Sequence, residues 1–369
     1  MSKKIPVGIL GATGMVGQNY ISLLENHPWF EVTYLAASSR SAGKKYGDVM
    51  NAGSRWHLRL PCPPAVANIV IENALDMSAA KKAAANGRLA FVFSALEMEK
   101  QEILDLEDAY AKADIPVVSN ASANRWSEDV PMLIAEINPD HTDIIASQKK
   151  ARGYNKGFIA VKPNCSIQSY MTPLFALMQG GYEIKRLIVT TMQAVSGAGY
   201  PGVPSLDVID NVVPYIGGEE EKSELEPLKI FGKIESGKII NADEPKISAH
   251  CNRVPVINGH TVTCSVEFGS KKPEVQEVKK IWSNFSALPQ QLKLPMAPLC
   301  PIIVREEANR PQPGMDRDAG KGMAVSVGRI RRCNVFDLRF VGLSHNTVRG
   351  AAGGGILNAE LLKSKGFFD

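Results

Sequence analysis

No run of apolar residues in this chain approaches the ~18 needed to cross a bilayer, which excludes a helical membrane span. Met1-Ser-Lys-Lys4 passes straight into a strand-like pattern, with no hydrophobic signal core or cleavage site, so a soluble, cytoplasmic protein is expected. Paired cysteines are missing as well. The six, at 62, 165, 251, 264, 300 and 333, form no CxxC pair and show no metal-ligand spacing, which argues against a disulfide framework and leaves no metal expected. Charge of one sign is also scarce: the net charge is +4 over 369 residues. The pairs Lys149-Lys150, Lys271-Lys272 and Arg331-Arg332 are not interleaved with aromatics, as a nucleic-acid surface would be. A local site for a phosphate-bearing small molecule fits better.

What is present reads as two domains. Residues 5–40 form a β-α-β pattern: the apolar strand Ile5 to Leu10, a glycine-rich turn, a helix around Gly14 to Asn26 and a strand from Glu31 to Ala37. The alternation continues with a helix near Met77 to Asn86, a strand Leu89 to Ser94, a helix Glu97 to Lys112 and a strand Ile115 to Ser119. This predicts an α/β, doubly wound parallel sheet over residues 1–157. After the polar stretch Ser147 to Lys156, strand-like runs at 186–194, 261–267, 323–330 and 335–341 and helices at 218–231 and 273–286 predict an α+β domain over 158–345, with a mostly antiparallel sheet. The Gly/Ala-rich segment 346–369 is expected to return as a helix to the first domain.

Gly8-Ile-Leu-Gly11-Ala-Thr13-Gly14-Met15-Val16-Gly17 places glycines every third residue between a strand and a helix. Such a turn lets backbone N–H groups approach a pyrophosphate at the helix N-terminus. At the end of the second strand no acid awaits a ribose; Ser38, Ser39, Arg40 and Ser41 offer hydroxyls and a cation, which suit a 2′-phosphate and hence NADP(H).

In Pro163-Asn164-Cys165-Ser166 a proline ends a strand and an asparagine suits a helix cap. Cys165 is thus expected at free helix amides, where a thiol's pKa falls and the sulfur becomes nucleophilic; a buried inert thiol is the alternative. Pro173 implies that the regular helix begins only near Ser169 to Thr172. Of six histidines, His27, His57 and His141 read as surface or capping residues, leaving His250, His260 and His345. His260 follows the turn Asn258-Gly259 and opens a strand, so it is the candidate partner of the thiol, or else a hydrogen-bonded turn histidine. Arg253 suits a carboxylate, and Gln193 ends a strand before the small-residue loop Ser196-Gly197-Ala198-Gly199.

Taken together, GATGMVG, SNASANR (119–125), PNCS (163–166), QAVSGAG (193–199), GGEEEK (217–222), RVPVINGHT (253–261), DRDAGKGMAVSVGR (316–329) and HNTVRGAAGG (345–354) resemble the aspartate-β-semialdehyde dehydrogenase family, in its archaeal and fungal branch, over essentially the whole chain. The resemblance implies a Rossmann-type domain and a catalytic and oligomerisation domain, a homo-oligomer (dimer or tetramer), and reduction of L-4-aspartyl phosphate to aspartate semialdehyde by NADPH in aspartate-family amino-acid biosynthesis. It implies Cys165 as nucleophile, His260 as acid/base and Gln193 as substrate orienter. Arg253 falls to the α-carboxylate, Glu219 to the ammonium, and Lys222, Arg125 and Asn164 to the phosphate. Glu219 is preferred to Glu220 because it shares a helix face with Lys222. Gly11, Thr13 to Gly17, Ser38, Ser39, Ser94, Ser196, Gly197 and Asn346 fall to the cofactor. Rival readings are an N-acetyl-γ-glutamyl-phosphate reductase, a malonyl-CoA reductase, and a non-catalytic NADP-binding regulator.

Overall fold

The computed structural model describes residues 3–368. Strands β1 (Ile5–Leu10), β2 (Phe30–Ala37), β3 (Ile71–Asn73), β4 (Phe91–Ser94), β5 (Val117–Ser119) and β6 (Ile159–Val161) form one parallel sheet in the order β3-β2-β1-β4-β5-β6. Their side chains alternate between its faces. Val7, Ile9, Phe91 and Phe93 bury one face against helix α1 (Met15–Leu24), while Leu10, Tyr34 and Val92 face the opposite cluster with Leu106, Tyr110 and Ala111. Helices α2 (Met77–Ala85) and α3 (Lys100–Lys112) follow β3 and β4 as crossovers; α3 starts later than the sequence predicts because Glu99 and Glu102 form a capping box there.

The sheet order reverses direction between β1 and β4, where Leu10 pairs with Ser94. In open α/β sheets, ligands bind outside the carboxyl ends of the strands at such a switch point. The glycine turn and Ser94 both lie there.

The polar stretch 147–156 packs against the first sheet. It lies mostly in helix α4 (Ile145–Arg152), closed by Gly153 in the left-handed conformation. Gln148 of this helix is buried, donates to the Ile159 carbonyl at 2.9 Å and accepts from the Ile159 amide at 2.8 Å. That side chain satisfies the outer edge of β6, which is the last strand of the first sheet. The first sheet extends through Val161, past the boundary expected at 157/158.

The second sheet comprises β7 (Ile184–Gln193), β10 (Lys246–Arg253), β11 (His260–Phe268), β12 (Ile302–Val304), β13 (Val325–Arg332) and β14 (Leu338–Ser344), in the order β10-β7-β11-β14-β13-β12; β8 (Lys233–Glu235) and β9 (Lys238–Ile240) form a small hairpin apart. The three central pairs are antiparallel and the two outer ones parallel. Helices α5 (Met171–Gln179) and α7 (Val275–Ser283) cover one face, with the buried Trp282 donating to the Pro173 carbonyl at 2.8 Å. Helix α6 (Glu219–Ile230) runs beside β10.

The chain then returns to the first sheet. After a π-helical turn at Val348–Ala352, helix α8 (Gly353–Ser364) places Ile356, Ala359 and Leu362 in the core shared with α1 and β1. Burying an aliphatic side chain such as Ile356 or Leu362 contributes about 1.5–3 kcal/mol. Among the described residues no helix is long and apolar enough to cross a membrane.

Candidate active site

Asn164 ends the segment after β6 by accepting from the Ser166 amide and hydroxyl, each at 2.7 Å. This turns the chain sharply and presents Cys165. Only a short 3₁₀ turn, Ser166–Ser169, comes next, and α5 begins at Met171 with Pro173 in its first turn, where the missing N–H costs nothing. Cys165 therefore does not stand at the N-terminus of an α-helix. Its thiol is not lowered as expected but pushed up to about 11, by burial first and then by the carboxylate of Glu219, against the opposing pull of Lys162, Arg125 and Arg253. The Cα of Gly350, in the π-helical turn, closes over the cysteine so tightly that an added Cβ would stand 2.7 Å from the Cys165 Cβ.

His260 begins β11, and its Nε2 lies 3.3 Å from the Cys165 sulfur. Its other ring nitrogen, Nδ1, accepts from the Ala194 amide at 3.0 Å. Burial, Arg253 and His345 hold the imidazole down at about 3. Arg253 ends β10, pairs in register with Gln193 on β7, and donates to the Ala194 carbonyl at 2.7 Å. Gly197 passes close to both: a Cβ there would meet the Arg253 guanidinium at 2.9 Å and the imidazole at 3.1 Å.

Glu219 opens α6 with its side chain buried toward this centre. It accepts from the Asn164 amide group at 2.8 and 3.0 Å, from Gln193 at 3.2 Å and from Lys222 at 3.0 Å. Glu220 turns away and accepts from the Cys251 amide. Arg125 reaches the same region from the loop after β5 and pairs with Glu226 at 2.8 Å. Beside them, Lys100, Ser122, Lys222 and Glu226 line a cavity of about 160 Å³.

Several residues expected at the cofactor lie at the switch point. Gly11 has φ of +77°, and a Cβ there would collide with the Ala95 carbonyl. The turn therefore takes only glycine, and it leads to the first amides of α1, Met15 to Gly17, which no side chain caps. A cavity of about 880 Å³ opens beside it, lined by Thr13, Ser38, Arg40, Ser41, Lys45 and Arg55 among others. Bare helix amides for a pyrophosphate and clustered cations for a 2′-phosphate fit a phosphorylated dinucleotide. Ser39 is exposed next to Ser38. Asn346 holds the far side, donating to the Ser196 hydroxyl at 2.9 Å and accepting from the Gly259 amide at 2.8 Å.

The family models agree with this two-part arrangement. One, described as semialdehyde dehydrogenase, NAD binding domain, matches residues 6–145, and another, described as semialdehyde dehydrogenase, dimerisation domain, matches 174–349. The aspartate-semialdehyde dehydrogenase of Methanothermobacter thermautotrophicus is 47% identical over 361 residues, covering 97% of this chain and 99% of that protein. The chain belongs to the aspartate-semialdehyde dehydrogenase family. The Cryptococcus neoformans member is 43% identical and covers 98% of both chains. The Candida albicans enzyme, solved with NADP, superimposes with a TM-score of 0.87 at 40% identity, covering 99% of this chain and 100% of that one. Members of this family in archaea and fungi thus share its full length.

Three features escaped the sequence. Glu226 is fully buried and splits its two oxygens between Arg125 and the Asn164 amide, the latter at 2.5 Å. Its position seven residues after Glu219 puts it on the same face of α6, the one signal that could have found it. Lys162 is buried behind the cysteine turn, donates to the Pro163 carbonyl, and is pushed down to about 7 by burial and Arg125. His27 and His141, expected as surface or capping residues, are buried; His27 accepts from the Trp29 and Phe30 amides and pairs with Glu360 at 2.8 Å, and His141 bonds Asn138 and the Gly232 carbonyl, each at 3.0 Å.

Proposed function

We propose that the chain catalyses the reversible, phosphate-releasing reduction of L-4-aspartyl phosphate to L-aspartate 4-semialdehyde, a step toward lysine, threonine, methionine and isoleucine. The carrying observation is the Cys165–His260 pair at 3.3 Å, with the carboxylate of Glu219 and the cations Arg253, Lys222 and Arg125 around it, Arg125 being paired with Glu226. That charge pattern matches a substrate with one ammonium, one carboxylate and one phosphate.

In this reading Cys165 attacks the acyl carbon and phosphate leaves, giving a thioester on the sulfur, with His260 as its imidazole partner. Bound NADPH supplies the hydride that takes the acyl group to the aldehyde level. Arg253 holds the α-carboxylate, Glu219 the ammonium, and Gln193 the acyl end, while Lys222, Arg125 and Asn164 hold the phosphate. Gly11, Thr13, Gly14, Met15, Val16, Gly17, Ser38, Ser39, Ser94, Ser196, Gly197 and Asn346 hold the cofactor. Residues 1–161 with 346–369 make the cofactor domain and 162–345 the catalytic one.

A homo-oligomer, dimer or tetramer, acts in the cytoplasm. Segment 205–215 supports self-association, since it exposes Leu206 (90%), Ile209 (63%) and Tyr215 (70%); a monomer mass in sedimentation would overturn that point. The activity test is phosphate-dependent NADP reduction with aspartate semialdehyde, run beside N-acetylglutamate semialdehyde and malonyl-CoA. Turnover of the first is expected. Turnover of another substrate without the first sinks the assignment.

A further inference from the structure

The segment after β7 reaches back from the second domain to the cofactor cavity. Its base is held at home: the Val195 amide donates to the Val256 carbonyl at 2.8 Å, and Asn346 donates to the Ser196 hydroxyl. Beyond Ser196 the chain passes Gly199 and Gly202, both left-handed with φ of +73° and +87°, and among the described residues no backbone hydrogen bond holds positions 200 to 203. What anchors this tip is a ring. Tyr200 stacks on His57 with centroids 3.8 Å apart and planes 16° from parallel, although 67% of the tyrosine is exposed.

His57 belongs to the first domain, and its own position is fixed from below. The buried Gln18 of α1 accepts from the His57 amide at 2.9 Å and donates to the Arg55 carbonyl at 2.9 Å and the Thr13 carbonyl at 3.0 Å. One side chain thus ties the glycine turn to the loop that carries the ring. Both rings line the cavity of about 880 Å³ that Thr13, Ser38 and Arg40 also line, and each comes from a different domain. We propose, on the reading that this cavity takes NADP(H), that His57 and Tyr200 form an aromatic clasp across the cofactor cleft, which positions the 196–200 loop over the bound dinucleotide and parts each time the dinucleotide leaves.

The strength of such a contact suits the task. A stacked aromatic pair shifts an equilibrium by roughly 2- to 10-fold, enough to delay release and little enough to open on every turnover. The same loop carries Gly197, whose backbone packs against Arg253 and His260, so closing the clasp brings the substrate side of the centre up to the cofactor. Tyr200 and His57 are positioning residues in this account, since they act through the loop.

The test uses the whole protein and NADPH without substrate. Stopped-flow displacement, followed by NADPH fluorescence, measures the release rate. Release is expected to speed up roughly 3- to 10-fold in Tyr200→Ala and in His57→Ala, and to stay at the wild-type rate in Tyr200→Phe, which keeps the ring. The double alanine variant is expected to release no faster than either single one, because losing one partner already opens the clasp. Wild-type release from both alanine variants overturns the proposal and leaves the stack as surface packing. Effects that multiply in the double variant overturn it too, since the two side chains then touch the cofactor separately. NADPH that does not bind the wild-type protein overturns the cofactor reading and the clasp with it, whereas failure of the aspartate semialdehyde assay with NADPH bound bears on the proposed reaction alone.

Discussion

Single atoms decide most of the chemistry at this centre. Cys165 owes its placement to the Asn164 side chain, and Asn164 in turn depends on Glu226, whose carboxylate receives its amide. Replacing Glu226 by glutamine leaves one acceptor oxygen for two donors, Arg125 and the Asn164 amide. Because a 1 Å misplacement can cost ~10²-fold, Glu226→Gln is expected to lower kcat/KM for phosphate roughly 10- to 100-fold while NADP affinity stays unchanged. Steady-state kinetics with a fluorescence titration check this, and wild-type kinetics would show that the carboxylate does not position the turn. For Cys165→Ser the expectation is loss of turnover with NADP still bound; activity near wild type would identify another thiol as the nucleophile. Cys251 and Cys264 are poorly placed for that role, since both are buried within strands.

Among the elements, the site is where a strand end, a helix start and a returning segment are pressed together. The π-helical turn before α8 brings Gly350 against Cys165, and Arg349 beside it is buried between Glu136 at 2.9 Å and Thr172 at 2.8 Å. That arrangement joins the first domain, the cysteine turn and the C-terminal segment through one backbone. A methyl group at 350 must move the cysteine or the turn, so Gly350→Ala is expected to cost about 1–3 kcal/mol of stability and to slow turnover. Thermal melting and Cys165 labelling measure the two effects separately. If both stay at wild-type values, the packing of this turn does not govern the sulfur. Helix α6 works differently, by spacing: Glu219, Lys222 and Glu226 lie along one side and meet the substrate centre and the Arg125 loop together.

Across the molecule, pH links the buried histidines to stability. Burial holds His141 below the ordinary imidazole range, and His260 and His345 share that direction. With a folded pKa below the unfolded ~6.5, each contributes stability that is present above pH 6.5 and lost as pH falls toward its folded value. Glu107 and Glu360, raised by burial, act oppositely, their contribution fading as pH rises through their folded values. The clean measurement is therefore a difference. Urea midpoints from pH 7 to pH 5 are expected to fall less for His141→Gln than for wild type, and equal slopes would remove His141 from the account.

The strand–turn–helix start and the order of a parallel sheet followed by a mostly antiparallel one were legible in the sequence, because period, glycine spacing and motif order are local properties of a chain. The 147–156 stretch was not, since a polar helix that satisfies a sheet edge through the buried Gln148 looks like a linker until the edge is known. Sequence pattern placed Cys165 at a helix terminus, but a 3₁₀ turn follows it, and burial and the Glu219 carboxylate, brought from segments far apart in the chain, set the thiol high against the pull of the nearby cations. Only folding settles which glutamate of the run 219–221 faces the site, what Glu226 holds, and which ring nitrogen of His260 meets the sulfur. Each of these is fixed by a partner distant in sequence: Gln193 for Glu219, Arg125 for Glu226, and the Ala194 amide for the imidazole.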